Sequence, residues 1–239
     1  MRLPLTRNQQ YFLIAIAVLV VLYVIFVTGP ATLIGRAIGL IIGFTIHEYA
    51  HAYTALRLGD RTAYFQGRVS LDPRVHLEPL GMVLALIAGF GWAKPVPVNT
   101  RAFYPHERQG LMIVALAGPV SNVILGIIFG IGMRLADVIV PFSNTGVVNF
   151  FYDVLATIIF FNLVLFFFNL IPLSPLDGWK IMIGLLPPEQ AYEMSRYEQQ
   201  STTVLLLLLL FGLAIPGLSI FGAIILPPVR FLFQLITGF

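Results

Sequence analysis

The segment His47-Glu48-Tyr49-Ala50-His51 places two imidazoles four residues apart with a carboxylate beside the first. On a helix, positions i and i+4 share a face, so both rings can reach one metal ion. Glu48 then stands close enough to take a proton from a water held there. Catalytic zinc sites use three protein ligands and keep one position open. A third ligand is therefore needed, and Asp177 is the best candidate. It ends an uncharged run and closes the stretch Asn169-Leu170-Ile171-Pro172-Leu173-Ser174-Pro175-Leu176-Asp177-Gly178, where two prolines break the preceding helix. The competing role for Asp177 is the N-cap of a short helix starting near Trp179. Asp137 and Asp153 are less attractive, because both lie near the far ends of their spans. Asn169 either hydrogen-bonds a substrate carbonyl or oxyanion, or ties two helices together.

Composition sets the stage for that chemistry. The chain has 239 residues, 58% of them hydrophobic and 10% charged, with a mean hydropathy of +0.90. Soluble domains carry about 25% charged residues, so an ordinary globular enzyme is excluded, as are disorder, collagen-like repeats and coiled coil. There is no cysteine, which removes disulfides, thiol nucleophiles and Cys-based zinc sites. The net charge of +3 comes from Lys and Arg scattered along the chain, which form no nucleic-acid patch. Ionisable groups inside a membrane helix are costly and functional by default. That favours a metal site over a polar network that merely glues helices together.

The elements that position these residues follow from the charges. No charged residue occurs in 8–35, 109–133, 154–176 or 199–229. Each run reaches the roughly 20 residues that cross a hydrocarbon core. A further helix, from about Ala31 to Leu58, carries the His-Glu motif. The first run reads as an N-terminal anchor rather than a signal peptide. The fold class expected is an all-α polytopic membrane protein with five to six transmembrane helices. Residues 1–239 form a single domain, with a core at 31–185, an anchor at 1–30 and a C-terminal membrane segment at 199–239. The last segment is either one helix broken at Pro216-Gly217 or a span plus a re-entrant piece.

Arg2, Arg7 and the many basic residues of 57–108 put the N-terminus and that segment in the cytoplasm by the positive-inside tendency. The His-bearing helix and the 154–171 span both run inward, so His47, His51 and Asp177 fall at compatible depth. Between the second and third spans, 61–72 reads as a short β-hairpin around Gly67. Residues 79–92 read as a re-entrant or buried element. Lys94-Pro95-Val96-Pro97-Val98-Asn99 reads as an edge strand, whose prolines leave the N–H groups of Val96 and Val98 on one side. Gly35, Gly39 and Gly43 allow another helix to approach closely. His76 and His106 are expected to be solvated loop histidines. Arg36, Trp179 and Lys180 fit interfacial anchoring. Asn122 either satisfies a carbonyl freed by Pro119 or faces the active site.

These elements together resemble the site-2 protease family of intramembrane zinc metalloproteases. The resemblance rests on HEYAH at 47–51, the Asn-x-x-Pro and Leu-Asp-Gly elements of 169–178, AGPVSN at 117–122 and GFGWAKPVPVN at 89–99. It covers about 40–185 and is to the small form, without a PDZ or CBS domain. It implies one zinc ion held by His47, His51 and Asp177, with Glu48 as the base of peptide hydrolysis. It implies transmembrane protein substrates in a lipid bilayer, in a prokaryotic cell membrane, with the active-site side cytoplasmic. Val96, Val98, Asn169 and Asn122 are the candidate substrate-binding residues. A metal transporter or a non-catalytic helix-binding scaffold is the alternative; the single polar cluster and the intact Glu48 weigh against them.

Overall fold

Uniformly apolar runs fold as helices in lipid because every backbone group must be satisfied within the segment. The computed structural model describes residues 26–89, 91–140, 146–215 and 220–238. Most of the expected anchor at 1–30, and the break expected at Pro216-Gly217, lie outside the described residues. Helix α1 (Pro30–Arg57) starts with proline in its first turn and carries the His-Glu motif near its C-terminal end. Three short helices follow: α2 (Thr62–Phe65), α3 (Pro73–His76) and α4 (Pro79–Ala88). Long helices α5 (Glu107–Ile139) and α6 (Gly146–Asn169) come next. The chain ends with α7 (Asp177–Leu185), α8 (Pro188–Ser195), α9 (Glu198–Ala214) and α10 (Ile220–Thr237).

Helices α1, α5, α6 and α10 are long and apolar enough to cross a membrane. Their length and apolar character are those of membrane-spanning helices. The expected five to six spans are thus four among the described residues. The seventeen-residue α9 rises only about 25 Å, short of a hydrocarbon core of about 30 Å. Its leucine run nevertheless faces outward at Leu206, Leu207 and Leu210.

Helices α1, α5 and α6 pack mutually, and α7 packs on α5. The glycine expectation holds. A Cβ at Gly35 would come 2.7 Å from the Thr157 Cβ, and one at Gly39 would come 3.1 Å from the Ile158 Cα. Contact this close lets α6 lie against α1, where packing rather than hydrophobic expulsion drives association in lipid.

The hairpin expected at 61–72 is not formed. Asp60 Oδ1 accepts the Thr62 N–H, which opens a helical turn. Gly67, at φ 68°, closes it with its own N–H on Tyr64 O and the Arg68 N–H on Ala63 O. The glycine that suggested a hairpin is a helix stop. The only β pairing among the described residues is the single bridge Leu77–Ala93, so the expected edge strand at 94–99 has no ladder. The re-entrant or buried element expected at 79–92 contains helix α4, which ends at Gly89 in the left-handed region (φ 79°). It packs on α1 through Ala85, Leu40 and Phe44. Gly81 lies against the Trp92 backbone so closely that no Cβ would fit.

Candidate metal centre and its cavity

Helix α1 brings His47 and His51 to one face, as the spacing requires, and both are buried. Helix α6 stops at Asn169, and a run of turns carries the chain over 170–176 to α7. Asp177 is the first residue of α7, not the N-cap, a position held by Leu176. Gly178 permits this turn, since a Cβ there would strike the carbonyl oxygens of Leu170 and Ile171. The result is a small triangle. His47 Nε2 lies 3.1 Å and His51 Nε2 lies 3.2 Å from Asp177 Oδ2. The two Nε2 atoms are 3.0 Å apart.

The remaining ring nitrogens are both engaged. His51 Nδ1 donates to the Val114 carbonyl at 2.7 Å. His47 Nδ1 donates to Asn122 Oδ1, also at 2.7 Å. With the proton on Nδ1 in each neutral ring, both Nε2 atoms turn lone pairs toward the Asp177 carboxylate. Three buried acceptors facing one another repel unless a cation sits among them. Tetrahedral ligands at about 2.0–2.1 Å from zinc stand about 3.3 Å apart, close to the observed triangle. The donor set therefore fits a zinc ion. The opposite wall is Gly118, where a Cβ would lie 2.6 Å from His47 Nε2 and closer still to His51 Nε2.

Around this triangle lies a cavity of about 530 Å³. Glu48, Val96, Val98, Asn169 and Lys180 line it beside the three ligand residues. Glu48 is buried, and its Oε2 has no hydrogen-bond partner. Asn169 donates from Nδ2 to Leu165 O at 3.0 Å. Lys180, read from the sequence as an interfacial anchor, instead reaches the cavity with Nζ 3.6 Å from Asp177 Oδ1. Asn122 is fully buried behind His47 and is not among the lining residues, so it faces the ligand rather than the cavity.

The 94–99 segment is fixed from both ends by side chains that the sequence reading passed over. Arg68 donates to the carbonyls of Lys94 and Pro95. Asp60 Oδ2 accepts the Asn99 N–H at 2.7 Å. Burial would raise the Asp60 pKa, but the hydrogen bonds from Thr62 and Asn99 outweigh it and hold the carboxyl below its usual range. The Lys94 N–H is bound by His76 O at 2.7 Å. Between these clamps the backbone groups of Val96 and Val98 make no hydrogen bond among the described residues. His76 is wholly buried, not the solvated loop residue expected, because Nε2 donates to Ser70 O under the segment it supports. Burial lowers its pKa. His106 is exposed as expected.

The chain is 47% identical over 176 residues to YwhC of Bacillus subtilis, covering 72% of this chain and 78% of that protein. The chain belongs to the site-2 protease family. It is also 31% identical over 179 residues to Rip2 of Mycobacterium tuberculosis, covering 72% of this chain and 65% of Rip2. Both relatives are provisionally named zinc metalloproteases. MJ0392 of Methanocaldococcus jannaschii, named a zinc metalloprotease, is 27% identical over 176 residues, which is 41% of its length. No family model matches the chain, and no solved structure matches it. This site-2 protease homologue is accordingly a zinc metalloprotease, with a buried His47–His51–Asp177 group able to hold the ion.

Proposed function

We propose that this chain hydrolyses peptide bonds within or next to transmembrane segments of other membrane proteins. Its single membrane domain holds zinc through His47, His51 and Asp177, and Glu48 serves as the general base. The observation that carries the reading is the convergence of three ligand atoms within 4.8 Å, in a cavity also lined by a buried carboxylate oxygen with no partner. Zinc bound there supplies Lewis acidity toward the scissile carbonyl and lowers the pKa of water to about 7. Glu48 takes up the proton and returns it to the leaving amine, with Oε2 already free to accept. Asn169 keeps one amide hydrogen for the oxyanion, since only the other is committed to Leu165 O.

A helical substrate hides its carbonyls in intrahelical bonds, so the segment to be cut must unwind. The unpaired Val96 and Val98 backbone would receive it by strand addition. The basic residues of 57–108 favour a cytoplasmic position for this side of a prokaryotic cell membrane. Val96→Pro removes an N–H that the substrate would need. It is expected to lower cleavage several-fold while the zinc content stays as in the parent protein. The assay is cleavage of tagged single-span proteins in proteoliposomes, read beside metal analysis. Cleavage at the parent rate would overturn the strand-addition role. Cleavage that survives stripping of zinc by a chelator would overturn the metallopeptidase reading.

A further inference from the structure

Two asparagines lie at zero exposure in the middle of the helix bundle, where an unpaired carboxamide would be costly. They come from different helices, Asn122 on α5 and Asn162 on α6, and they meet α1 at Gly43. Asn162 Nδ2 donates to Ile158 O at 2.9 Å. Because a carbonyl only accepts, this fixes the amide orientation and turns Asn162 Oδ1 toward Asn122. Asn122 Nδ2 donates to that oxygen at 3.2 Å and to the Gly43 carbonyl at 3.1 Å. The second carbonyl fixes Asn122 in the same way, leaving its Oδ1 for His47 Nδ1. The direction of every bond is thus imposed by two backbone carbonyls that cannot donate. Gly43 is what lets the pair close up, since a Cβ there would come 2.8 Å from Leu165 Cδ1 and 3.0 Å from Asn162 Oδ1. Neither asparagine lines the cavity.

Resting on the zinc site proposed above, we infer that Asn162 and Asn122 form a directional relay that positions His47, holding its proton on Nδ1 and its Nε2 bare toward the ion. Asn122 is the direct positioning residue; Asn162 acts only through it. Outer-sphere partners of a ligating histidine fix its ring orientation and strengthen it as a donor. A simple space-filling role would leave zinc affinity untouched. The relay makes affinity depend on a residue on another helix that touches no ligand.

The test is the zinc Kd of the full chain in detergent, measured by competition with a chromophoric chelator. Asn122→Ala is expected to raise Kd about 10–100-fold. Asn162→Ala is expected to raise it about 5-fold, the weight of one neutral hydrogen bond. The double variant should bind no more weakly than Asn122→Ala alone, because the second residue has nothing left to act on. Asn122→Asp keeps an acceptor for His47 and should bind more tightly than Asn122→Ala. An unchanged Kd in Asn162→Ala, or losses that simply multiply in the double variant, would overturn the relay. Should Asn122→Ala fail to fold, a weakened Asn162→Ala beside a zinc-competent Asn122→Asp supports it, and any other pairing overturns it. A parent protein that binds no zinc contradicts the underlying site instead.

Discussion

Replacing Glu48 by glutamine is expected to lower cleavage by about 10²–10⁴-fold while the protein still purifies with its zinc. The size of the loss follows from what glutamine cannot do. It has nearly the shape of glutamate, so the buried position on α1 stays filled, but a neutral amide cannot accept the proton that hydrolysis must remove. The zinc should remain because Glu48 is not one of the three converging ligands. That split between activity and metal content separates a base from a ligand. Zinc lost in this variant would make Glu48 part of the metal shell, and cleavage kept would place the base elsewhere.

Gly118→Ala is expected to be nearly as damaging by the opposite route, losing zinc and activity together. The added methyl would stand 2.6 Å from His47 Nε2 and overlap His51 Nε2. Neither ring can retreat easily, since each is anchored through Nδ1 at 2.7 Å and buried. Something must shift in a packed interior, and the lone pairs aimed at the ion are the nearest movable groups. Metal analysis of the purified variant reads this directly. Stoichiometric zinc in Gly118→Ala would show that α5 can move away from α1 without disturbing the ligands. Alanine at Gly132, which meets no atom within 4 Å, serves as the neutral control on the same helix.

Much of the candidate site was legible in the sequence because its signals are local. The four-residue spacing of His47 and His51 is a property of one helix, and charge inside an apolar span is conspicuous wherever it occurs. Asp177 was harder, being 130 residues away from His47. It was found because prolines break α6 just before it and because both spans run in the same direction. The hairpin at 61–72 was misread for an equally physical reason. Gly67 announces a positive φ, but a β-turn and a helix stop both use one, and only the Asp60 carboxylate on Thr62 decides between them. His76 reads as solvated in the sequence because it lies in the basic segment between two spans and lacks ligand spacing. It is instead buried where the chain returns to bind the His76 carbonyl through the Lys94 N–H, a contact that no local pattern encodes. Asn162 left a signal that went unread, as a carboxamide in an otherwise apolar run. Asn122 fills neither of the two roles its sequence position suggests, since its Nδ2 donates to the Gly43 carbonyl on another helix and its Oδ1 is left for His47.

The ligand residues and the 94–99 segment share one end of the helix bundle. The ligands lie near one end of the bundle, about two turns from the end of α1 at Arg57, and the clamped 94–99 segment borders the same cavity. Arg68 and Asp60 hold the 94–99 segment at the carbonyls of Lys94 and Pro95 and at the Asn99 N–H, without hydrogen-bonding the ligand residues.

Metal content of the detergent-purified chain, with His47→Ala and Asp177→Ala measured beside it, tests the central claim most directly and needs no substrate. Near-stoichiometric zinc in the parent protein, lost in both variants, is the predicted result. Zinc retained after removal of Asp177 would contradict the three-ligand centre, and a parent protein that takes up no zinc would contradict the metal site altogether.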